Sequence, residues 1–173
     1  YPIKLLKNGL TFMKKNKFFQ HNTAIVSDKA QIGENTKIWH FSHIRENAII
    51  GENVSIGQNV YIDSSVQIGD NCKIQNNVSI YKGVVIEDKV FIGPSVTFTN
   101  DLYPEVEGWN DERIVNTLIR EGASLGANST IICGVSIGVN SLIGAGSVVT
   151  KNIDNNMVAY GNPAIVIRNN YKK

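Results

Sequence analysis

The 173-residue sequence contains few of the residues that form crosslinks or metal sites: it has two cysteines and three histidines, and all three histidines precede residue 44. Cys72 and Cys133 fall at different phases of the repeat described below, so we expect no disulfide, as in a reducing cytoplasm. No apolar run approaches the ~20 residues of a membrane-spanning helix. Residues 1–20 also lack the apolar core and cleavage site of a signal peptide. The sequence therefore predicts a soluble, cytoplasmic protein without a membrane partner.

Most of the chain also lacks an excess of basic charge. Residues 1–20 contain five lysines and no acidic residue, whereas residues 21–167 contain nine Lys or Arg against fifteen Asp or Glu. The formal charge of +2 for the whole chain therefore comes from its ends. Because a nucleic-acid partner would require a basic face, we expect none.

What the sequence does contain is a six-residue repeat. Each repeat places a large apolar residue two positions after a small or β-branched one, and these large residues are Val26, Ile32, Ile38, Ile44, Ile50, Ile56, Ile62, Ile68, Ile74, Ile80, Ile86, Ile92 and Phe98. A period of six does not fit an α-helix, and strands of an antiparallel sandwich vary too much in length to keep it. Short strands joined by regular corners do fit, with three strands to a coil. The repeat therefore predicts an all-β, parallel β-helix whose coils stack about 4.8 Å apart.

The repeat is interrupted once. It resumes as Leu125, Ile131, Ile137, Ile143 and Val149, which gives eighteen repeat units, or about six coils. The intervening residues, roughly 99–120, are predicted to form an external loop. Insertions in solenoids usually project from one face and often bind a ligand. Tyr103, Pro104 and Trp109 favour that function over a purely solvated excursion.

The ends of the chain are assigned separately from the repeats. Residues 1–20 are predicted to be an N-terminal extension or cap, and residues 1–12 an upstream or added segment, because Met13-Lys14-Lys15 resembles a translation start. Residues 21–168 form the predicted β-helix domain. The end of that domain, from Gly161 onward, is expected to cover the open end of the coils, and 169–173 form a tail.

Residues eighteen apart occupy the same place on successive coils of such a stack. Carboxamides recur in this way, as Gln58-Asn59 on one coil and Gln75-Asn76-Asn77 on the next. Asn accepts left-handed corner geometry and bonds to backbone groups, so this ladder is either structural or a binding surface. The sequence leaves both interpretations open.

Several motifs together resemble one family. They are Ile38-Trp39-His40-Phe41 with His43-Ile44, Ile74-Gln75-Asn76-Asn77-Val78-Ser79, Gly93-Pro94-Ser95, Phe98-Thr99-Asn100, Gly122-Ala123-Ser124-Leu125-Gly126-Ala127-Asn128 and Gly144-Ala145-Gly146. Over about residues 20–168 the chain resembles the hexapeptide-repeat acyltransferases, above all the N-acetyltransferases of nucleotide-linked 3-amino sugars. The resemblance implies a left-handed β-helix, a homotrimer with sites between subunits, and acetyl-CoA as co-substrate. The left hand departs from the usual crossover preference.

The resemblance also implies a site. The residues expected to bind the sugar nucleotide are Gln58, Asn59, Gln75, Asn76, Asn77, Tyr81, Asn100 and Asp101. Those expected to bind acetyl-CoA are Gly126, Ala127, Gly144, Ala145, Pro163 and Arg168. Asn77 is assigned to orient the amine. His40 or His43 is a less favoured base, because His40 lies two coils, about 9–10 Å, from Asn76.

The loop bears on which sugar is acetylated. In related enzymes that act on UDP-2-acetamido-3-amino-2,3-dideoxyglucuronate, the segment after Phe-Thr-Asn resembles Val-Tyr-Asn-Pro-Arg. In this sequence the position of that arginine is occupied by Glu105. An acidic loop disfavours a carboxylate at carbon six, unless Arg113 or Arg120 supplies the charge. We therefore expect a dTDP-linked 3-amino-3,6-dideoxyhexose, used in surface polysaccharide or O-antigen biosynthesis, with the UDP-uronate as the alternative.

Two functions from other classes compete with acetyl transfer. Zinc enzymes that resemble γ-type carbonic anhydrases use three histidines converging between subunits, but here none lies on the middle or late coils. We therefore expect no metal. The other alternative is a non-catalytic, sugar-binding solenoid.

Overall fold

The computed structural model describes residues 18–170, and the expectations for residues 1–17 and 171–173 lie outside them. The strands are β1 Phe19–Gln20, β2 Ile25–Val26, β3 Gln31–Ile32, β4 Lys37–Ile38, β5 His43–Ile44, β6 Ile49–Ile50, β7 Ser55–Ile56, β8 Tyr61–Ile62, β9 Gln67–Ile68, β10 Lys73–Ile74, β11 Ser79–Ile80, β12 Val84–Ile86, β13 Phe91–Ile92, β14 Thr97–Phe98, β15 Thr117–Ile119, β16 Ser124–Leu125, β17 Thr130–Ile131, β18 Ser136–Ile137, β19 Leu142–Ile143, β20 Val148–Val149, β21 Met157–Gly161 and β22 Ala164–Asn169. One 3₁₀ turn, Asp111–Arg113, interrupts this pattern.

These strands form three sheets that wrap around one core. Sheet A has the order β1-β4-β7-β10-β13-β16-β19-β21-β22, sheet B β2-β5-β8-β11-β14-β17-β20, and sheet C β18-β15-β12-β9-β6-β3. From β1 with β4 to β17 with β20, strands pair in parallel with the strand three further along the chain. β19 pairs in parallel with β21, and among the described strands only β21 with β22 is antiparallel. The predicted parallel β-helix is thus confirmed, and its left hand stays a prediction.

Three corners connect the sheets, and we name them by the sheets that they join. Corner AB comprises residues 21–24, 39–42, 57–60, 75–78, 93–96, 126–129 and 144–147. Thirteen non-glycine residues in the described chain have positive φ, and nine of them are asparagine. Asparagine tolerates the left-handed conformation better than other side chains. This explains why the chain turns a corner so often without glycine.

The core follows the two predicted columns. Ile38, Ile44, Ile56 and most other large repeat residues are fully buried. Among their small partners, burial raises the pKa of the Cys72 thiol to about 11, so this cysteine is a packing residue rather than a nucleophile.

Two buried serines test how much side-chain hydrogen bonds contribute to the stability of this core. Ser141 Oγ donates to the Asp154 carbonyl at 2.6 Å and accepts from Met157 N–H at 3.1 Å. The equally buried Ser129 Oγ has no hydrogen-bond partner among residues 18–170. Ser141→Ala should therefore cost about 1–3 kcal/mol of unfolding free energy, and Ser129→Ala close to none. Urea denaturation of the two variants measures the difference. Equal losses would show that the Ser129 hydroxyl is bonded as well.

The external loop ends earlier than predicted. Thr117–Ile119 is not part of it but forms β15, which pairs with β12 and β18 in sheet C. Thr117 and Ile119 are a buried small and large pair six residues before Ala123 and Leu125, so the repeat resumes one unit sooner than predicted. The excursion therefore occupies residues 99–116, and the stack has more coils than the predicted six.

The C-terminal segment continues the stack rather than only covering it. β21 pairs with β19 and carries the buried Ala159, and β22 folds back on β21 as a hairpin. Across residues 18–170, no helix has the length and apolar character needed to cross a membrane.

Candidate functional site

The acidic residues are distributed unevenly over the three corners of the β-helix. All fifteen acidic residues lie within the described chain: Asp28, Glu46 and Asp63 at corner BC, Glu34, Glu52, Asp70, Glu87, Asp88, Glu121 and Asp154 at corner CA, and Asp101, Glu105, Glu107, Asp111 and Glu112 in the loop. Corner AB contains none. It is therefore the edge along which an anionic ligand meets no carboxylate.

At several corners the second residue donates its N–H group to a side chain of the next coil. At corner CA, Asp70 Oδ1 accepts from Glu52 N–H at 2.7 Å, and Asp88 Oδ1 accepts from Asp70 N–H at 2.8 Å. Corner AB follows the same rule once, where Asn76 Oδ1 accepts from Gln58 N–H at 3.0 Å. At these three corners, a polar side chain eighteen residues ahead is thus the partner of the N–H group of the second corner residue.

That partner is missing further along corner AB. The residue eighteen after Ala127 is Ala145, which has no acceptor, and within residues 18–170 neither Ala127 N–H nor Ala145 N–H donates a hydrogen bond. Glycine keeps both nitrogens open, because a Cβ at Gly93 would lie 2.7 Å from Ala127 N and one at Gly126 2.4 Å from Ala145 N. The corner thus presents two open donors one coil, about 4.8 Å, apart.

The carboxamides lie toward the N-terminal end of the same corner. A pocket of about 280 Å³ is lined by Trp39, His40, Ser55, Gly57, Gln58, Lys73, Ile74, Gln75 and Asn76. It brings together four residues predicted from the sequence: His40, Gln58, Gln75 and Asn76. It also adds Trp39 and Lys73, which sequence reasoning missed because their neighbours depend on how the coils stack.

Asn59 and Asn77 stand beside this pocket in the left-handed conformation. Asn59 Nδ2 donates to Asn77 Oδ1 at 3.0 Å, and both residues have φ near +60°. The ladder therefore has a structural role. A carboxamide oxygen has a second lone pair, so Asn77 can still accept a hydrogen bond from a ligand amine. Its assignment to orient the amine stays a prediction.

The histidines lie on different faces. His40 lines the carboxamide pocket and stacks on His21 with ring centroids 3.5 Å apart. His43 lies on the outer face of sheet B and meets the Tyr61 ring edge-on at 5.8 Å. No group of three or more His, Cys, Asp or Glu suited to a metal ion occurs among the described residues.

Tyr81, Asn100 and Asp101 are not brought to the carboxamide pocket. Tyr81 begins corner BC, at the opposite side of sheet B, four residues or about 13 Å from Asn77 along the extended chain. Asn100 accepts a hydrogen bond from Val115 N–H at 2.9 Å through its carbonyl. Asp101 lies 3.1 Å from Arg113 Nε and accepts from Tyr103 N–H at 2.8 Å. These contacts hold the loop together.

The two C-terminal residues predicted to bind acetyl-CoA, Pro163 and Arg168, lie at different places. The turn that contains Pro163 continues corner AB, because Gly161 N–H donates to Ser147 Oγ at 3.2 Å. Arg168 pairs in register with Val158 at the other end of the hairpin. Of the predicted acetyl-CoA residues, Gly126, Ala127, Gly144 and Ala145 thus share one corner with Pro163, whereas Arg168 stands apart.

A larger groove, of about 780 Å³, lies on sheet C below the loop. Its charged groups are Lys82 and Asp111, which pair with each other at 2.5 Å. The groove contains none of the predicted site residues and offers no uncompensated charge. We therefore place the candidate site along corner AB, despite the smaller volume of its pocket.

The chain matches two family models. The one described as bacterial transferase hexapeptide (six repeats) matches residues 29–64 and 65–100, and the hexapeptide repeat of succinyl-transferase matches residues 47–82 and 119–151. Together they cover more than half of the chain. Both describe the six-residue repeat on which the core is built.

Individual relatives modify sugars or bind acetyl-CoA. A galactoside O-acetyltransferase of Lactococcus lactis is 42% identical over 82 residues, which is 46% of this chain and 40% of the relative. The dTDP-3-amino-3,6-dideoxy-alpha-D-galactopyranose 3-N-acetyltransferase of Aneurinibacillus thermoaerophilus is 51% identical over 53 residues, 31% of this chain and 28% of the relative. The chain thus covers less than half the length of these curated relatives.

Among solved structures, a hexapeptide-repeat acetyltransferase of Vibrio cholerae complexed with acetyl-coenzyme A superposes with a TM-score of 0.52 at 26% identity. The match covers 68% of this chain and 71% of that one.

Proposed function

Because the chain belongs to the hexapeptide-repeat acetyltransferase family, we propose that it transfers the acetyl group of acetyl-CoA to the amino group of a sugar. The observation that carries this proposal is the row of open N–H donors, Ala127 and Ala145, on the one corner without a carboxylate. A thioester and its phosphorylated carrier need hydrogen-bond donors and an absence of negative charge.

The chemistry requires little more than positioning. The sugar nitrogen attacks the thioester carbonyl carbon, the carbon–sulfur bond breaks, and the proton lost by nitrogen ends on the sulfur of CoA. Ala127 N–H and Ala145 N–H stabilise the negative charge that develops on the carbonyl oxygen or hold the adjacent amide groups. Asn77 orients the amine, and the carboxamides of Gln58 and Asn76 hold the sugar. His40 and His43 stay less favoured as bases.

The finer proposal is a dTDP-linked 3-amino-3,6-dideoxyhexose as acceptor. Arg113 is engaged by Asp101 and the Tyr103 carbonyl, and Arg120 lies 3.0 Å from Glu87. Both arginines that could bind a carboxylate at carbon six thus have partners within the chain. This supports the 6-deoxy sugar over the UDP-uronate.

Release of free thiol from acetyl-CoA tests the reaction and the acceptor together. We expect release with dTDP-linked 3-amino-3,6-dideoxyhexoses and a lower kcat/KM with the UDP-linked 3-amino uronate. A galactoside acceptor tests O-acetylation, which the Lactococcus relative's activity suggests. Preference for the uronate would overturn the interpretation of the loop. No release with any amino sugar would contradict the reaction and leave a sugar-binding solenoid, with metal analysis as the test of a zinc enzyme.

We further propose that the protein acts in the cytoplasm as a homotrimer with sites between subunits. Phe41 supports burial by a neighbouring subunit, since its side chain is 67% exposed although it occupies a left-handed corner at φ +56°. Such a conformation is unfavourable for a bulky residue and persists where surroundings compensate for it.

A further inference from the structure

Among residues 18–170, two lysines on the outer face of sheet A have no carboxylate partner. Half of the ten Lys and Arg in residues 18–170 form ion pairs, namely Arg45, Lys82, Lys89, Arg113 and Arg120. Lys37 of β4 and Lys73 of β10 do not, and both stand in register with Ser55 of β7, which separates them. The face between them therefore presents two positive charges and one hydroxyl.

Two adjoining depressions surround these lysines. One, of about 690 Å³, contains Lys37, the other is the carboxamide pocket with Lys73, and both include Ser55. The rings of Phe19 and Trp39 stand at their N-terminal side with centroids 5.3 Å apart, and they are 45% and 39% exposed. Cationic, hydroxyl and aromatic groups thus form one continuous surface that ends at Gln58 and Asn76.

The spacing suits a diphosphate. Lys37 and Lys73 lie two coils apart, about 9.6 Å, and their long flexible stems can converge on a group between them. The acidic residues that precede these strands, Glu34, Glu52 and Asp70, stand at corner CA, at the opposite ends of the strands from the carboxamide pocket. Their charge favours an anion that lies toward corner AB rather than across the whole sheet.

We propose that this face binds the nucleoside diphosphate of the acceptor. Lys37, Ser55 and Lys73 bind the two phosphates, and the exposed rings of Phe19 and Trp39 stack against the base. The sugar then enters the carboxamide pocket. The inference rests on the proposed function and deepens it, because it makes the chain selective for nucleotide-linked sugars over free galactosides.

CoA also carries phosphate groups, so it is the competing ligand for Lys37 and Lys73. The open N–H groups of Ala127 and Ala145 lie two and three coils beyond Asn76, on the C-terminal side of the carboxamide pocket. Acetyl-CoA held there extends away from Lys37 and toward Pro163. The two ligands therefore predict different kinetic effects of the same substitutions.

Lys73→Met and Lys37→Met test the subsite. The control is Lys29→Met, because Lys29 is an exposed residue of corner BC that forms no ion pair with any described residue. Lys73→Met and Lys37→Met should each raise KM for the dTDP-linked amino sugar about ten- to hundredfold. They should raise the inhibition constant of dTDP by the same factor. KM for acetyl-CoA should stay unchanged, as should all constants of the Lys29 variant. Trp39→Leu should likewise weaken inhibition by dTDP, because the base loses an aromatic ring to stack against.

The outcomes separate this inference from the proposed function. Thiol release with unchanged KM for the sugar nucleotide in both variants would overturn the diphosphate subsite and leave acetyl transfer intact. A raised KM for acetyl-CoA instead would assign the lysines to CoA and also overturn it. If no amino sugar releases thiol, calorimetric binding of dTDP to the wild type and the Lys73 variant still decides the subsite.

Discussion

Ala127→Pro should reduce kcat/KM for acetyl transfer by about 10²–10³, the loss typical of one removed oxyanion donor, while the β-helix stays folded. Proline lacks the N–H that the proposed mechanism uses. It fits the backbone, because Pro94 already occupies the equivalent place one coil earlier. Gly93-Pro94-Ser95 and Gly126-Ala127-Asn128 both place a positive-φ residue third, at +59° and +56°.

Ala127→Ser is the matched control, since it changes the side chain and keeps the N–H. A second variant reaches the same donor from the next coil. In Ala145→Asn, Oδ1 should accept from Ala127 N–H as Asn76 Oδ1 accepts from Gln58 N–H. This variant should lose activity without losing stability. If Ala127→Pro keeps activity within threefold of the wild type, the N–H row is not where the thioester binds.

Asn76→Asp should raise KM for the nucleotide-linked sugar more than tenfold, with little change in the free energy of unfolding. Asp70 and Asp88 show that a carboxylate in this corner position makes the same bond to the N–H eighteen residues earlier. The substitution therefore preserves the backbone contact and adds only a negative charge to corner AB. At an effective dielectric constant of 20, two charges 4 Å apart interact by about 4 kcal/mol, so a phosphate nearby should be repelled.

Asp88→Asn is the reciprocal control at corner CA, where Asp88 Oδ1 accepts from Asp70 N–H, and it should leave the KM values for the sugar nucleotide and for acetyl-CoA unchanged. The Asn76→Asp defect should shrink as salt rises, because screening weakens repulsion between exposed charges. A free amino sugar, which has no phosphate, should be affected much less than its nucleotide-linked form. Equal effects on both acceptors would show that Asn76 contacts the sugar and that charge is not the cause.

The sequence was sufficient for the fold because one physical requirement repeats in it. Each six-residue unit must bury one large and one small residue, so Ile38, Ile44 and Ile50 occupy the same environment at intervals of six residues along the chain. The loop boundary was missed where that signal became short. Thr117 and Ile119 form a single pair, and only their pairing with β12 and β18 identifies them as a strand.

The candidate site was harder to predict because it depends on which corners adjoin. The gap in acidic residues along corner AB becomes visible only when each turn is assigned to a corner. Lys73 meets Trp39 and Gln58 only through the stacking of coils. Asp101 was predicted to contact substrate, but its partner Arg113 is twelve residues away across a loop with no repeat to fix its path.

An amide chemical-shift titration of the ¹⁵N-labelled protein with acetyl-CoA tests the central claim most directly. The account predicts that the signals of Ala127 and Ala145 move as their N–H groups gain acceptors, and that those of Leu118 and Ser136, beside the larger groove on sheet C, do not. Saturable shifts at Leu118 and Ser136, with Ala127 and Ala145 unmoved, would contradict it and transfer the binding site to sheet C.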